Sequence, residues 1–425
     1  MAEPGGEGSA EAGRRARVHA WWRRLERSER FEWIAWIAGP LAGMVWIASW
    51  YRNNWYHFDE WSMIERSLDG VLQGMLAGHQ GHLTVTSFLV YNVQRSVLGL
   101  EGHHLTWLAH IVAIGALHVS LVLLLRRLGL SMLFALLVAT IATYFGPGGQ
   151  DVVWQFQWSI TLAFALSFFA AWVALGTQRR TRDIALVGAL LVAAAMANSG
   201  IAVLGLVYVG IVLAISWPWR ATLRALVPAT VLHAAWIAFG DGTESIGTTF
   251  GKMFSFAAEL VLYAAGGLLG GGETRTKLEA IPTDAVIPLD VKVLGGIALV
   301  AALATIGITI SRRGMTRSVT ASFVGGIVAA LLCAGSLART RAFLTNPDEF
   351  PGLRYVQWVA LFLAVAFAPA LATTLRPRCG ASLGSSRCSP DRWSPCWSST
   401  CSSSSRYAAS TSSSASRRTP MSVGP

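Results

Sequence analysis

The chain has 425 residues, of which 53% are hydrophobic and only 13% charged. Soluble domains carry about 25% charged residues, so this composition excludes a soluble globular protein and predicts a polytopic membrane protein. The formal net charge of +11 does not indicate a nucleic-acid partner, because the arginines stand in short clusters at the ends of apolar runs, where they act as topology signals.

Residues 1–32 are predicted to form a basic cytoplasmic segment, which contains seven arginines. The apolar run Trp33 to Trp50 follows and is long enough to cross a bilayer core of about 30 Å. Because basic residues stay on the cytoplasmic side, we expect a multi-pass plasma-membrane protein with a cytoplasmic N-terminus and a retained signal anchor.

Residues 51–103 are predicted to form a long first loop on the outer face. The loop opens with Phe58-Asp59-Glu60-Trp61. Apolar residues from Trp55 to Leu76 recur at helical spacing, which predicts an amphipathic helix lying on the membrane surface. Neighbouring carboxylates can divide the roles of general base and cation ligand, although they can also serve only to stabilise the start of the helix.

Two histidines, His79 and His82, follow in the same loop as His79-Gln80-Gly81-His82. Histidines three residues apart can share a helical face and bind a metal, but the flanking glycines oppose a helix and no third ligand is fixed by the sequence. Hydrogen bonding to a phosphate or hydroxyl group of a substrate is a second interpretation, and a simple interfacial position is the third.

Nine further spans are predicted after the loop, which gives an all-α fold with ten transmembrane helices, or eleven if an uncertain run is counted. Their starts lie near His104, Leu130, Val153, Ile184, Ile201, Leu223, Val291, Val319 and Arg354. The uncertain run is Phe254 to Gly270. We expect it to be re-entrant or interfacial, because counting it as a span would move five other arginines to the outer face.

With that topology, Arg339, Arg341 and Arg354, followed by Tyr355, lie on the outer face. Guanidinium groups bind phosphate through two parallel hydrogen bonds, although helix-end arginines also snorkel without any ligand. Trp154 and Gln157, in the run Trp154 to Trp158, offer an aromatic face and an amide suited to a sugar ring or to the interfacial aromatic belt.

Residues 376–425 differ in composition from the rest of the chain. From Cys379 onward, 17 of 47 residues are serine, and four of the five cysteines lie there. Such a segment cannot bury a core. We interpret it as a disordered tail or as the product of a shifted reading frame.

The features of residues 33–375 together resemble the GT-C membrane glycosyltransferases, which include protein O-mannosyltransferases and aminoarabinose transferases, in a bacterial form. The resemblance rests on the acidic pair of the first loop, the later His79 to Leu83 stretch and Arg354-Tyr355. It implies that Asp59, and less directly Glu60, serves as catalytic base or metal ligand, with Mg²⁺ or Mn²⁺ as the possible cation. It also implies a polyprenyl-phosphate-sugar donor, met by the arginines of the outer face.

The predicted function is therefore inverting sugar transfer to a lipid, glycan or protein acceptor on the extracytoplasmic face, with membrane lipids as the other partners. A non-catalytic envelope or assembly protein is the alternative. A transporter is less favoured, because it would need ionisable residues at mid-membrane depth, and the predicted spans are almost free of them.

Overall fold

The computed structural model consists of helices throughout the residues that it describes. The described residues are 29–50, 58–68, 70–79, 82–100, 103–144, 154–176, 180–239, 249–269, 291–341 and 353–375. The first 28 residues and the serine-rich segment after residue 375 therefore lie outside the described residues, and their predicted character stays a prediction.

One apolar helix and three short helices form the first part of the chain. These are α1 (Glu29–Trp50), α2 (Phe58–Arg66), α3 (Val71–Leu76) and α4 (Val85–Val93), and a π-helical turn continues α4 over Gln94–Leu98. Helices α2 to α4 and the residues between them are referred to below as the loop layer.

Ten further helices form a bundle. They are α5 (His104–Arg127), α6 (Met132–Thr143), α7 (Trp158–Ala174, preceded by a 3₁₀ turn over Gln155–Gln157), α8 (Thr181–Ala197), α9 (Ser199–Ser216), α10 (Trp219–Phe239), α11 (Phe250–Leu268), α12 (Val291–Arg313), α13 (Arg317–Arg341) and α14 (Leu353–Leu375). Short connections make most successive helices antiparallel neighbours.

Seven of the described helices are long and apolar enough to cross a membrane. They correspond to α5, α7, α9, α10, α12, α13 and α14, whereas α1 and α6 contain shorter apolar stretches. The prediction of an all-α, multi-pass membrane protein is confirmed at this level. The total of ten or eleven spans stays a prediction.

An aromatic cluster joins α7, α9 and α14 at the centre of the bundle. Phe168 packs edge-on against Tyr208, with ring centroids 5.9 Å apart, and Phe164 packs against Phe362 at 5.6 Å. All four side chains are buried. Edge-to-face pairs of this kind add about 0.5–1.5 kcal/mol each beyond the area they bury, so this cluster fixes the relative positions of the three helices.

One end of the bundle carries the loop layer and is called the loop end. The backbone N–H of Leu83 donates to Ser199 Oγ (2.8 Å) at the start of α9. Gln357 Nε2, in the first turn and a half of α14, donates to Thr143 O (3.1 Å) at the end of α6. The start of α9, the end of α6 and the start of α14 therefore lie at the loop end.

The opposite end is rich in arginine and is called the basic end. Trp217 Nε1 donates to Ala174 O (2.7 Å), which brings the ends of α9 and α7 together. Arg317 donates from Nε to the carbonyl of Ile215, so α13 starts at the basic end. Because α13 pairs with α9 along its length, it finishes at the loop end.

Helix α11 contains most of the apolar run Phe254 to Gly270, which is predicted to be re-entrant or interfacial. The chain is continuously helical from Phe250 to Leu268 and packs antiparallel to α12. A side chain at Gly295 would strike the Leu262 carbonyl, and one at Gly266 would strike Val291. Glycine is thus required for the close approach of the two helices. The helix is not among the seven described helices that are long and apolar enough to cross a membrane, and its re-entrant or interfacial character stays a prediction.

The single amphipathic helix expected from Trp55 to Leu76 is broken in two. Gly70, between α2 and α3, has a φ of 105°, which side-chain-bearing residues rarely adopt. Leu68, Leu72 and Leu76 remain exposed, whereas Ile64 is buried, so only the later part of the apolar face that the spacing indicated is exposed. That exposure is what an interfacial helix requires.

Candidate functional site

The two acidic neighbours of α2 have different surroundings. Glu60 is fully buried and accepts a hydrogen bond from Tyr91 Oη at 3.1 Å, whereas the side chain of Asp59 is 22% exposed. The difference follows from helical spacing, since Met63, Ile64 and Ser67 continue the buried face of Glu60 at i+3, i+4 and i+7. Asp59 therefore stands at the edge of that face, where a ligand can reach it.

His79 is the neighbour of Asp59. Its Nε2 lies 3.5 Å from Asp59 Oδ1, slightly longer than an ordinary hydrogen bond, and its Nδ1 lies 3.3 Å from Ser62 Oγ. The Ser62 hydroxyl also donates to the Asp59 carbonyl at 2.8 Å. Ser62 thereby orients the imidazole so that Nε2 faces the carboxylate.

The two histidines of the loop are joined by their backbones and not by a helical face. The backbones of His79 and His82 exchange N–H···O bonds of 2.8 and 2.9 Å. The imidazole of His82 packs against Gly200, while that of His79 faces Asp59. In the part of the chain that the structure describes, no three His, Cys, Asp or Glu side chains lie close enough to hold a metal ion.

Arg66 fixes the backbone that leads into His79, although no sequence motif marks this arginine. Its guanidinium donates to the carbonyl of Ala77 at 3.1 Å and to that of Gly78. A planar fork of donors suits two successive carbonyls. The signal that could have found it is position: Arg66 ends α2, one helical turn beyond Ser62, and so faces the chain as it returns.

The run from Trp154 to Trp158 joins the same site. Phe156 packs on the imidazole of His79, with ring centroids 5.0 Å apart, and Trp154 packs on Phe156 at 6.0 Å. Gln155 and Gln157 are buried. Two candidate regions that are about 75 residues apart in the sequence are thus brought into contact.

Residues of α5, to which the sequence analysis gave no role, support this run. Thr106 Oγ1 donates to Gln155 Oε1 at 2.9 Å, and His110 Nδ1 lies 3.1 Å from the Gln155 carbonyl. The backbone N–H of Thr106 also donates a hydrogen bond to Gln94 Oε1 at 3.1 Å. Gln94, Thr106, His110 and Gln155 thus form a buried polar layer. Its residues come from three elements, namely the π-helical turn that continues α4, helix α5 and the 3₁₀ turn.

Several buried polar atoms of this layer and of the residues that follow Gln155 have no hydrogen-bond partner among the described residues. They include Nε2 of Gln155, Oε1 of Gln157 and Oγ of Ser159. A buried polar group left unsatisfied costs about 1–3 kcal/mol, so such groups are usually met by water or a ligand. A donor and an acceptor at neighbouring positions match the hydrogen-bonding capacity of a hydroxyl-rich molecule.

The arginine candidates are only partly described. Arg339 is exposed in the last turn of α13, at the loop end. The side chains of Arg341 and Arg354 lie outside the described residues. Tyr355 is buried and packs edge-on against Trp358, with centroids 5.0 Å apart. The described contacts do not bring Arg339 against Asp59, so the phosphate role of these arginines stays a prediction.

Fold and site together define a multi-pass α-helical membrane protein with an acidic, aromatic-lined polar site at one end of its bundle. Comparison with protein-family models, curated proteins and solved structures finds no match.

Proposed function

We propose that the protein is a membrane glycosyltransferase that moves a sugar from a polyprenyl-phosphate donor to an acceptor on the extracytoplasmic face. The observation that carries this proposal is the convergence of a partly accessible carboxylate, aromatic rings and unsatisfied amides at the loop end. Sugar rings are bound by these same groups, since aromatic faces pack on C–H surfaces and amides bind hydroxyls.

Asp59 is assigned as the general base. It accepts the proton of the acceptor hydroxyl or amine as that atom attacks the anomeric carbon. The attack comes from the face opposite the phosphate, so the bond from the anomeric carbon to the phosphate oxygen breaks as the new bond forms, the phosphate leaves with the electron pair, and the configuration inverts. Arg339, Arg341 and Arg354 are the candidates to stabilise the charge on the leaving phosphate. Glu60, buried against Tyr91, holds α2 in place and does not touch substrate.

Whether the reaction uses a divalent cation is decided by experiment. Mg²⁺ binds one or two carboxylates together with substrate phosphate oxygens, and Asp59 is the carboxylate that such an arrangement would use. The cation would neutralise charge on the phosphate. Loss of transfer in EDTA that Mg²⁺ or Mn²⁺ restores is the expected result if the reaction uses it, and full transfer in EDTA removes it from the proposal.

The decisive experiment compares two carboxylate-to-amide variants of one helix. Purified protein in lipid is offered polyprenyl-phosphate hexoses and pentoses in turn, with labelled sugar followed into acceptors. Asp59→Asn is expected to abolish transfer while the protein stays folded, and Glu65→Gln, at an exposed position of α2, is expected to retain it. Equal transfer by wild type and Asp59→Asn would instead favour the non-catalytic envelope or assembly protein.

A further inference from the structure

Four exposed arginines form a surface at the basic end, far from the candidate site. They are Arg180 and Arg182 at the start of α8, and Arg220 and Arg224 in the first turns of α10. They are called the arginine surface below. No residue of this surface enters the proposed transfer reaction. Arginines at the ends of apolar helices act as topology signals, and four of them on one face can also bind a ligand.

The fold brings the two helix starts side by side. Only Asn198 separates α8 from α9, and only Trp217 and Pro218 separate α9 from α10, so two reversals of direction make α8 and α10 parallel. They pack closely, since a side chain at Gly188 would lie 3.2 Å from the Ala225 carbonyl. The arginines of both first turns therefore share one face with two positive helix-dipole ends.

This positive charge is only partly compensated within the chain. Asp183 Oδ1 lies 3.7 Å from Arg182 Nε, whereas its Oδ2 accepts a bond of 2.9 Å from the backbone N–H of Arg180 and not from the guanidinium. Across the described residues, no carboxylate forms an ion pair with Arg220 or Arg224. Among the described residues, the guanidinium groups of Arg180, Arg220 and Arg224 therefore have no carboxylate partner, and an external anion can bind them.

The depth of the surface indicates what that anion is. The guanidinium of Arg220 stacks over the indole of Trp219, with 5.4 Å from Cζ to the ring centroid, and Trp219 is 66% exposed. An exposed tryptophan at the end of an apolar helix sits at the level of lipid headgroups. Arg220 is therefore held at the depth of lipid phosphates.

We propose that the arginine surface binds the phosphate groups of anionic phospholipids. Arginine binds phosphate through two parallel hydrogen bonds, and basic residues beside a membrane are attracted by anionic lipids. The proposal is independent of the transferase activity. If anionic lipid binds the folded protein at this surface, it raises the free energy of unfolding.

The test reconstitutes the full chain in nanodiscs of phosphatidylcholine with rising fractions of phosphatidylglycerol. Bound phosphatidylglycerol is counted by native mass spectrometry, and the unfolding midpoint is followed in parallel. The double variant Arg220→Gln/Arg224→Gln is expected to need roughly thirtyfold more phosphatidylglycerol for the same occupancy. Asp183→Asn, which removes the competing carboxylate, is expected to need several-fold less.

Arg317→Gln is the matched control. It removes one exposed arginine from the same end, but part of that guanidinium is bonded to the Ile215 carbonyl, so its loss should shift the phosphatidylglycerol dependence by no more than the roughly fivefold expected of one surface charge. The proposal fails if the double variant and wild type give the same curves, or if Asp183→Asn shifts nothing. It also fails if inorganic phosphate in pure phosphatidylcholine gives the same stabilisation, because the ligand would then be a soluble anion.

Discussion

Asp59 and Glu60 show how one residue of displacement changes the chemistry of a carboxylate. The pair is adjacent in sequence, but a helix turns by about 100° per residue, so Glu60 faces the core and Asp59 its edge. Buried carboxylates must be hydrogen-bonded, and Tyr91 supplies that bond to Glu60. Position alone therefore gives the two carboxylates different surroundings, one buried and hydrogen-bonded and the other partly exposed.

This separation gives a prediction at Tyr91. Tyr91→Phe removes the hydroxyl that bonds to Glu60 and leaves a buried carboxylate with one donor fewer, which should lower the free energy of unfolding by about 1.5–3 kcal/mol. Glu60→Gln keeps an acceptor and should cost less. Thermal unfolding of both single variants and of the double variant measures the coupling.

The expected double-mutant result is a loss smaller than the sum of the two single losses, because each substitution removes the same contact. Sugar transfer should survive in all three proteins below their unfolding midpoints. Additive losses would mean that Tyr91 and Glu60 act independently, and Glu60 would then need another role. Asp59→Asn should show the opposite pattern, with transfer lost and stability kept.

Among the elements, the break between α2 and α3 depends on Gly70. Its backbone lies in a region nearly restricted to glycine, and a Cβ there would meet no neighbour within 4 Å. Gly70→Ala should therefore destabilise by about 1–3 kcal/mol through backbone strain alone. Gly335→Ala, inside α13 and equally free of neighbours, should instead stabilise by up to about 1 kcal/mol.

Chemical unfolding measures the free energy of unfolding of the two alanine variants. They are matched, because each change adds one methyl group in open space. A gain in stability for Gly70→Ala would show that α2 and α3 can join into the single helix that apolar spacing indicates. Limited proteolysis near Gly70 would report the same change locally.

Helix α13 runs from the basic end of the bundle to the loop end. Because Arg317 bonds to the end of α9, the two ends of α13 must lie at opposite ends of the bundle. In a background without native cysteines, a membrane-impermeant thiol reagent added to intact cells should label a cysteine at Thr340 and spare one at Thr316. The reverse labelling would place Arg339 in the cytoplasm and remove it as a phosphate ligand.

Sequence patterns predicted the apolar helices well and the loop layer only in part. The start of α5 falls at His104 as expected, because a long apolar run between polar turns has one interpretation. Gly70 was not recognised as a break, since the apolar spacing continues across it. Arg66 and Thr106 could not be found, because their partners are backbone and amide groups whose proximity depends on the tertiary fold.

At the scale of the whole molecule, the described bundle ends at Leu375. We expect a chain that stops at Arg376 to keep the unfolding midpoint and the transfer activity of the full chain, because the composition of the segment after it cannot supply a core. Reconstituted protein of both lengths, assayed side by side, measures this. A lower midpoint for the short chain would show that the serine-rich segment packs on the bundle.

The pairing of Leu83 with Ser199 also sets an order of events during biosynthesis. The two residues are 116 positions apart, and ribosomes add about 5–20 residues per second. Leu83 is therefore added to the growing chain roughly 6–23 seconds before Ser199. Until Ser199 is made, the loop layer cannot dock on the start of α9. The earliest part of the site to be synthesised is therefore among the last to be fixed.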